Sequence, residues 1–154
     1  MGHENPSRRK TRHFRDTTLD LGSLESATAT LERSVFAATS LHAAIPEALR
    51  DTVRSGIIQN FEVAYEVSWK MMKRWLSANV GPDIVNGVPR RELFRRAAEN
   101  GLIADVDLWM SFHAARNETS HTYDHGRAAE VATVAVGFAP AARALLSALR
   151  ARHG

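Results

Sequence analysis

The amino-acid sequence predicts an all-α fold, an antiparallel four-helix-type bundle with an additional short helix. From residue 19 onward, apolar residues recur at three- and four-residue spacing, which is the period of an amphipathic helix. Glycine, proline and asparagine interrupt these runs at positions where helices commonly end. No run alternates between apolar and polar residues, as a half-buried strand does. Short connections between long helices favour antiparallel neighbours.

Two long helices are predicted in the first half of the chain. The apolar positions of the first recur every seven residues: Leu24, Leu31, Ala38 and Ile45. Ser23 is its predicted N-cap and Pro46 its predicted stop. The apolar positions of the second are spaced by three or four residues: Ile58, Phe61, Tyr65, Trp69, Met72 and Leu76. Asp51 is its predicted N-cap, and the Asn-Val-Gly-Pro segment 79–82 ends it.

Three helices are predicted in the second half, after a loop at 83–88. A short third helix begins at Pro89 and closes at the pair Asn100-Gly101. The fourth runs from about Asp105, with Trp109 among its inward residues. The fifth begins near Gly126 and continues to the C-terminus. Two residues, Gly137 and Pro140, are expected to kink or split it.

Length and charge predict one domain, 19–154, preceded by a basic flexible tail, 1–18. A chain of 154 residues with 44% hydrophobic residues is large enough for one core. The tail holds five Lys or Arg and two Asp or Glu, which accounts for the whole net charge of +3. The 15 basic and 15 acidic residues that remain cancel. The basic balance therefore does not indicate a nucleic-acid groove in the folded part.

Several function classes are disfavoured by composition. The absence of cysteine excludes disulfides and thiolate metal sites and suits a reducing compartment. The longest uncharged stretches, 34–46 and 131–142, are shorter than the ~20 residues that span a bilayer. No apolar segment follows the basic N-terminal residues as in a signal peptide. We therefore expect a cytoplasmic protein without a membrane partner.

Residues 115–125, ARNETSHTYDH, are unusually polar for a segment that follows an apolar helix. Three interpretations are open: a solvated helix end, a metal site or an acid–base site. On a continuous helix Arg116 and His121 would point about 140° apart, whereas Asn117 and His121 would share a face. Because Thr119 and Ser120 disfavour helix interiors, we expect the helix to end near Glu118.

The metal interpretation uses His121 and His125 at i,i+4, with Asp124 and His113 nearby. It requires a helix where Gly126 indicates a loop. The acid–base interpretation needs no metal. Histidine transfers protons near neutral pH, arginine stabilises charge on phosphorus, and an RNA strand supplies its own nucleophile, the 2′-hydroxyl. Composition alone does not choose between these interpretations.

Several blocks of the sequence resemble one known family. They are IIQNFE at 57–62, YE and WK at 65–66 and 69–70, PR at 89–90 with Phe94, GLI at 101–103, and Asn117 with SHTY at 120–123. These blocks resemble the nucleotidyltransferase substrate-binding family, small helical HEPN proteins encoded beside a minimal nucleotidyltransferase. The resemblance extends from about Leu24 to the C-terminus. The arginine–histidine spacing at 116–121 also resembles the HEPN signature.

This resemblance implies a homodimer that binds the adjacent-gene nucleotidyltransferase. It implies a metal-independent ribonuclease site, with no cofactor, in which Arg116, Asn117 and His121 are catalytic. It also implies that the partner attaches AMP to Tyr123 and so silences a toxin-like activity. The alternative is a non-catalytic subunit that binds substrate for the transferase. The chain is not itself the transferase, because Gly22-Ser23 lacks the two following aspartates that hold magnesium.

Other candidate residues have a structural and a functional interpretation. Four arginines form a basic cluster in the predicted short helix: Arg90, Arg91, Arg95 and Arg96. They form either a solvated strip or a contact surface for RNA phosphates or an acidic partner. Glu62 and Glu66 are either a solvated or dimer-facing pair or the residues that position the site's arginine. The aromatic residues Phe61, Tyr65, Trp69, Trp109 and Phe112 are predicted to form the core.

Overall fold

The computed structural model describes residues 19–119 and 125–152, and within these ranges it contains five α helices and no strand. The helices are α1 (Gly22–Ser40), α2 (Glu47–Asn79), α3 (Arg90–Glu99), α4 (Val106–Glu118) and α5 (His125–Ala151). Short 3-10 turns lie at His42–Ala44 and Pro82–Ile84. The predicted all-α class with one short helix is confirmed. The predicted tail 1–18 lies outside the described residues.

The central element is α2, which has 33 residues and is therefore about 50 Å long. It packs against α1, α3, α4 and α5. Connections of six residues between α1 and α2 and between α3 and α4 leave these pairs antiparallel. Because α3 and α4 also pack on each other, one region of α2 faces both of them. The candidate functional residues lie in that region.

Five aromatic rings from α2, α3, α4 and α5 pack against one another in the core. Phe138 of α5 lies 5.3 Å from Phe61 of α2, 5.4 Å from Trp109 and 4.9 Å from Phe112, measured between ring centroids. Phe94 of α3 lies 5.6 Å from Trp109. All five residues are buried. Edge-on aromatic packing of this kind fixes the relative positions of α2, α4 and α5 beneath the polar site.

The two predicted N-caps are wrong. Ser23 lies inside α1, which begins at Gly22, and Asp51 lies inside α2, which begins at Glu47. The first turns of α2 are mostly exposed, so no apolar periodicity marks them in the sequence. Asp105 does cap α4, because its carboxylate accepts a hydrogen bond from the backbone N–H of Leu108 at 3.0 Å.

Some of the other predicted helix boundaries are also wrong, and some are confirmed. The first helix ends at Ser40 rather than Pro46, so Ile45 lies beyond it. The third begins one residue after Pro89, and Gly101 follows its C-cap with a φ of 73°, as predicted. Pro140 lies inside α5, which continues as one helix to Ala151, so the helix is not split.

The apolar composition of α5 has a structural explanation. By length and hydropathy its segment Gly126–Ala151 could cross a membrane, with a mean hydropathy of 1.5 over its most apolar window. One side of the helix is buried against α1, α2 and α4, and that side carries Val131, Phe138, Leu145 and Leu149. Core packing thus accounts for the large apolar residues on that side of α5.

Candidate functional site

The last turn of α4 carries Arg116 and Asn117. The helix ends at Glu118, as predicted from the polar residues that follow it. Because the helix ends there, helical geometry does not force the residues after Glu118 to point away from Arg116. His121 and Tyr123 lie outside the described residues, as do Asp124 and the side chain of His125, so their positions stay predictions.

Arg116 is held from two sides. Its Nε lies 3.4 Å from Oε1 of Glu66 on α2, although this contact is not aligned as a hydrogen bond. Its Nη1 donates to the hydroxyl of Thr119 at 2.9 Å, and that hydroxyl donates to the Arg116 carbonyl at 2.8 Å. Thr119 is buried, with 6% of its surface exposed. The guanidinium is therefore half-buried and restrained at the end of α4.

A second polar group lies beside the arginine and joins three helices. The hydroxyl of Tyr65 on α2 is 2.6 Å from Nδ1 of His113 on α4. Nη1 of Arg90, the first residue of α3, donates to the same hydroxyl at 3.2 Å. The Asn117 amide lies 3.4 Å from Nε2 of His113. The two histidine nitrogens thus face Tyr65 on one side and Asn117 on the other.

Burial and charge set the protonation of this group. Burial raises the pKa of Tyr65 to about 12, against an opposing effect from Arg90, so the phenol stays protonated. Burial also lowers the pKa of His113 below its ordinary 6.5, and the positive charge of Arg90 lowers it further, whereas Glu66 raises it. At neutral pH His113 is therefore an uncharged imidazole.

The predicted basic cluster is divided by the fold. Arg91 pairs with Asp107 at 3.0 Å, Arg95 with Glu92 at 3.2 Å, and Arg96 with both Glu92 and Glu99 at 3.1 and 3.4 Å. Arg90 behaves differently. Its guanidinium carbon lies 3.6 Å from the centroid of the Trp69 ring, in a cation–π contact, and the side chain turns toward Tyr65. Of these four arginines, Arg90 belongs to the site.

Two residues of the site are not assigned to it by the sequence. The helical spacing predicts Tyr65 as core, and it is only 1% exposed, yet its hydroxyl reaches the polar group. The sequence suggests His113 only as a metal ligand. Of the two acidic candidates, Glu66 contacts the arginine, whereas Glu62 lines a separate depression with Arg54 and Ala128. The sequence feature that could have assigned His113 to the site is its position one helical turn before Asn117.

The arrangement can bind an anion and hold it in place. It presents a restrained guanidinium, an exposed amide and a neutral imidazole on one surface. Within the described part of the chain, no group of three His, Asp or Glu side chains is arranged to hold a metal ion. The donors that are present suit a phosphate group, because guanidinium and amide N–H groups donate to its oxygens.

Comparisons with known proteins agree with this fold. Residues 19–151 match the family model described as nucleotidyltransferase substrate binding protein like. A curated relative from Haemophilus influenzae, named probable ribonuclease HepT, is 35% identical over 138 residues, which is 88% of this chain and 94% of the relative.

Two solved structures are also similar. One, from Haemophilus influenzae, is described as revealing the fold of a substrate binding domain of a nucleotidyltransferase; it has a TM-score of 0.78 and 34% identity, and the match covers 85% of this chain and 99% of that one. The other, from Thermus thermophilus, has a TM-score of 0.67 and 26% identity, with 82% and 98% covered. The chain therefore belongs to the nucleotidyltransferase substrate-binding-like family.

Proposed function

We propose that this protein is the HEPN-type subunit of a two-gene nucleotidyltransferase pair and that it is a toxin-like, metal-independent ribonuclease. The observation that carries the proposal is the restraint of Arg116 by Glu66 and Thr119 at the end of α4. An arginine fixed in advance stabilises developing charge without reorganising during the reaction. The name of the Haemophilus influenzae relative, probable ribonuclease, supports the same activity.

The proposed reaction is cyclising cleavage of an RNA strand. The 2′-hydroxyl attacks the adjacent phosphorus and loses its proton, and the bond from phosphorus to the 5′-oxygen breaks as that oxygen gains a proton. The products are a 2′,3′-cyclic phosphate and a 5′-hydroxyl, so atoms and charges balance without an added co-reactant. Arg116 stabilises the charge on phosphorus, His121 transfers protons, and Asn117 orients the phosphate.

Purified protein without its partner tests this proposal. It should cleave RNA in the presence of a metal chelator, and Arg116→Ala should lower kcat/KM by about a hundredfold or more. Arg33→Ala, which removes an exposed arginine of α1, is the matched control and should cleave like the wild type. A wild type that leaves RNA intact would rule the ribonuclease out, and an Arg116→Ala variant as active as the wild type would remove Arg116 from the site.

The competing function is a non-catalytic subunit that binds substrate for a nucleotidyltransferase. The description of the Haemophilus influenzae structure as a substrate binding domain favours this class. Both functions need the same partner, so co-purification with the adjacent gene product does not separate them. RNA cleavage by the isolated protein does, because a binding subunit would leave RNA intact.

Three further features belong to the proposal. The protein acts as a homodimer, with the polar stretches of both chains near the shared axis. Its partner is the adjacent-gene minimal nucleotidyltransferase, which attaches AMP to Tyr123. The protein is cytoplasmic. The family description, nucleotidyltransferase substrate binding protein like, supports the nucleotidyltransferase partner. The homodimer and the AMP acceptor follow from the sequence resemblance, and the location follows from the composition.

A further inference from the structure

A group of cations lies on α2, one and two turns after the glutamate that contacts Arg116. The cations line an open depression of about 430 Å³ on the helix surface, whose lining residues are Trp69, Lys70, Lys73, Arg74, Ser77 and Ala78. Half of these residues are cationic and none is acidic. Because the 15 basic and 15 acidic residues after the tail cancel, this surface is more positive than the domain as a whole.

Helical geometry places these cations on the same face of α2 as Glu66. Lys70 follows Glu66 by four residues, and Arg74 follows Lys70 by four, so the three side chains form one row along the helix. Lys73 lies beside that row. With a rise of about 1.5 Å per residue, the row extends about 12 Å from Glu66 to Arg74. Phosphates along one strand of a duplex are about 3.4 Å apart, so the row is long enough to contact more than one phosphate.

The same cations are continuous with the candidate catalytic site. Oε1 of Glu66 lies 3.4 Å from Nε of Arg116, and Oε2 accepts a hydrogen bond from Nε1 of Trp69 at 3.0 Å. Nζ of Lys70 lies 3.9 Å from Oε2 of Glu66 and 5.7 Å from the centroid of the Trp69 ring. The guanidinium of Arg90 covers the same ring at 3.6 Å. The depression on α2 therefore begins next to the residues that hold Arg116.

Lys73 and Arg74 differ from the arginines of α3 in their pairing. Among the residues that the structure describes, no carboxylate lies within ion-pairing distance of either side chain. Arg91, Arg95 and Arg96 are each paired with a carboxylate at 3.0 to 3.2 Å. A carboxylate offsets the charge that a phosphate would meet, whereas an unpaired cation exchanges only water and counterions for the phosphate. The pairing therefore favours α2 over α3 as a surface for phosphates.

We propose that the α2 strip, which we define as Trp69, Lys70, Lys73 and Arg74, binds phosphates of the RNA strand next to the scissile one. This assignment rests on the proposed function and deepens it, because it places part of the substrate along α2. A positively charged depression with an aromatic side chain is a combination that binds single strands. Recognition is independent of base identity, since contacts with phosphates carry no sequence information.

Cleavage kinetics test whether the strip acts on binding or on chemistry. Contacts with phosphates away from the reacting one are the same in the ground state and the transition state, so they lower KM without raising kcat. We expect Lys73→Gln/Arg74→Gln to raise KM for RNA cleavage about tenfold and to keep kcat within about twofold of the wild type. Glutamine is compatible with the helix, and thermal melting checks the fold.

A charge-matched control separates the strip from a general loss of positive charge. Arg33→Gln/Arg50→Gln removes two exposed arginines that, within the described part of the chain, have no ion-pair partner. This variant has the same net charge as Lys73→Gln/Arg74→Gln and should leave KM within about twofold of the wild type. Lys73→Arg/Arg74→Lys keeps both charges on α2 and should recover most of the affinity that the glutamine variant loses.

A binding measurement that needs no cleavage separates the strip from the proposed function. The probe is a fluorescent 2′-O-methyl oligouridylate, which keeps the phosphates but lacks the 2′-hydroxyl nucleophile. We expect Lys73→Gln/Arg74→Gln to raise the Kd of the probe about tenfold at about 0.1 M salt. The slope of log Kd against log salt concentration should fall by about 1.4, the sum for two phosphate contacts on a single strand. The Arg33→Gln/Arg50→Gln control should keep the slope of the wild type.

Equal Kd values for the two glutamine variants would overturn the proposal, and so would a wild type that does not bind the probe. Unchanged RNA binding together with loss of the co-purified transferase would assign the strip to a protein partner and would also overturn it. If the wild type leaves RNA intact but Lys73→Gln/Arg74→Gln weakens binding of the probe as expected, the ribonuclease proposal fails and the strip stands as an RNA-binding surface.

Discussion

The carboxylate of Glu66 contacts residues of its own helix, α2, and also Arg116 of α4. One oxygen lies 3.4 Å from Nε of Arg116, and the other accepts a hydrogen bond from Nε1 of Trp69 at 3.0 Å. Nζ of Lys70 is 3.9 Å from that second oxygen. Because Trp69 and Lys70 hold the carboxylate from α2, its remaining oxygen is directed at the arginine. Glu66 thus sets the orientation of Arg116 and balances part of its charge.

We predict that Glu66→Gln lowers kcat/KM for RNA cleavage by about tenfold, because the neutral amide attracts the guanidinium less strongly and Arg116 becomes less restrained. Stability should change by less than about 1 kcal/mol, since this ion pair is partly exposed. Cleavage rates and urea unfolding measure the two effects. Glu62→Gln is the matched control, one turn earlier on α2. Equal losses in both variants would contradict the role given to Glu66.

Single residues also show what the sequence can and cannot predict about the site. The placement of Arg116 at a helix end follows from its neighbours Thr119 and Ser120, and the structure confirms that end at Glu118. The bond between Tyr65 and His113 joins residues 48 positions apart. Periodicity places Tyr65 on the inward face of α2 but does not state which residue of another helix its hydroxyl meets. The partner of a buried hydroxyl therefore has to be seen in the fold.

At the scale of helices, periodicity predicts the apolar faces better than it predicts the ends. Most predicted core positions of α2 are buried, including Ile58, Phe61 and Met72. Trp69 was also predicted as core, but it is only partly buried, because its ring lies at the polar site under Arg90. The predicted start of the same helix is wrong because Glu47 to Arg54 is largely exposed and lacks an apolar face. Strong local chemistry predicts the end of α3 at Gly101 correctly, and the predicted start of the fourth helix near Asp105 is also correct. Helix ends without such chemistry are decided by tertiary packing.

The end of α3 depends on one glycine. Gly101 has a φ of 73°, and the backbone N–H of the next residue, Leu102, bonds to the carbonyl of Ala97 at 2.9 Å, which closes the helix in a Schellman turn. A Cβ at residue 101 would lie 2.4 Å from Nη2 of Arg152, the residue that follows α5. That nitrogen donates to the Asn100 carbonyl at 2.9 Å. The turn therefore also anchors the C-terminal end of α5.

We predict that Gly101→Ala lowers the free energy of unfolding by about 1–2 kcal/mol, through left-handed backbone strain and displacement of Arg152. Gly56→Ala is the matched control. It lies inside α2 with open space around the added Cβ, so it should raise the free energy of unfolding by about 0.5–1 kcal/mol. Urea unfolding of both variants measures the opposite signs. A neutral Gly101→Ala would show that the turn tolerates alanine.

On the scale of the whole molecule, the site exists only where three helices meet. Glu66 and Tyr65 come from α2, Arg90 from α3, and His113 and Arg116 from α4. No single helix positions all of these site residues. The aromatic core below them fixes their separation, with Tyr65 itself 6.2 Å from Phe138 of α5 between ring centroids. Activity should therefore be lost together with the tertiary fold, and not with any one helix.

We predict that the protein is a homodimer in solution. Arg116 and Asn117 lie at the end of α4, and a symmetric second chain near the same end would enclose an RNA bound there. Light scattering at micromolar concentration should give twice the 17.0 kDa mass of the chain. A monomer that cleaves RNA at the same concentration would contradict the prediction, because one chain would then suffice.

The final prediction concerns regulation by the partner. The chain contains two tyrosines, and Tyr65 is buried with a pKa of about 12, so it is a poor acceptor for a transferred nucleotide. Tyr123 is two residues after His121. An AMP group on its hydroxyl would bring a bulky anion to the position that we assign to the RNA phosphate. Steric exclusion and like-charge repulsion would then block cleavage, while Arg116 would stabilise the modified form.

Incubation with the partner transferase, magnesium and ATP should therefore raise the mass of the protein by one or more AMP units and abolish RNA cleavage. Tyr123→Phe should keep its mass and its activity. Tyr65→Phe is the control for labelling and should still gain AMP, because it retains Tyr123. An unmodified wild type, or equal labelling of Tyr123→Phe, would remove Tyr123 from the mechanism. Cleavage by Arg116 and His121 does not require the modification, so the ribonuclease proposal would stand independently of that result.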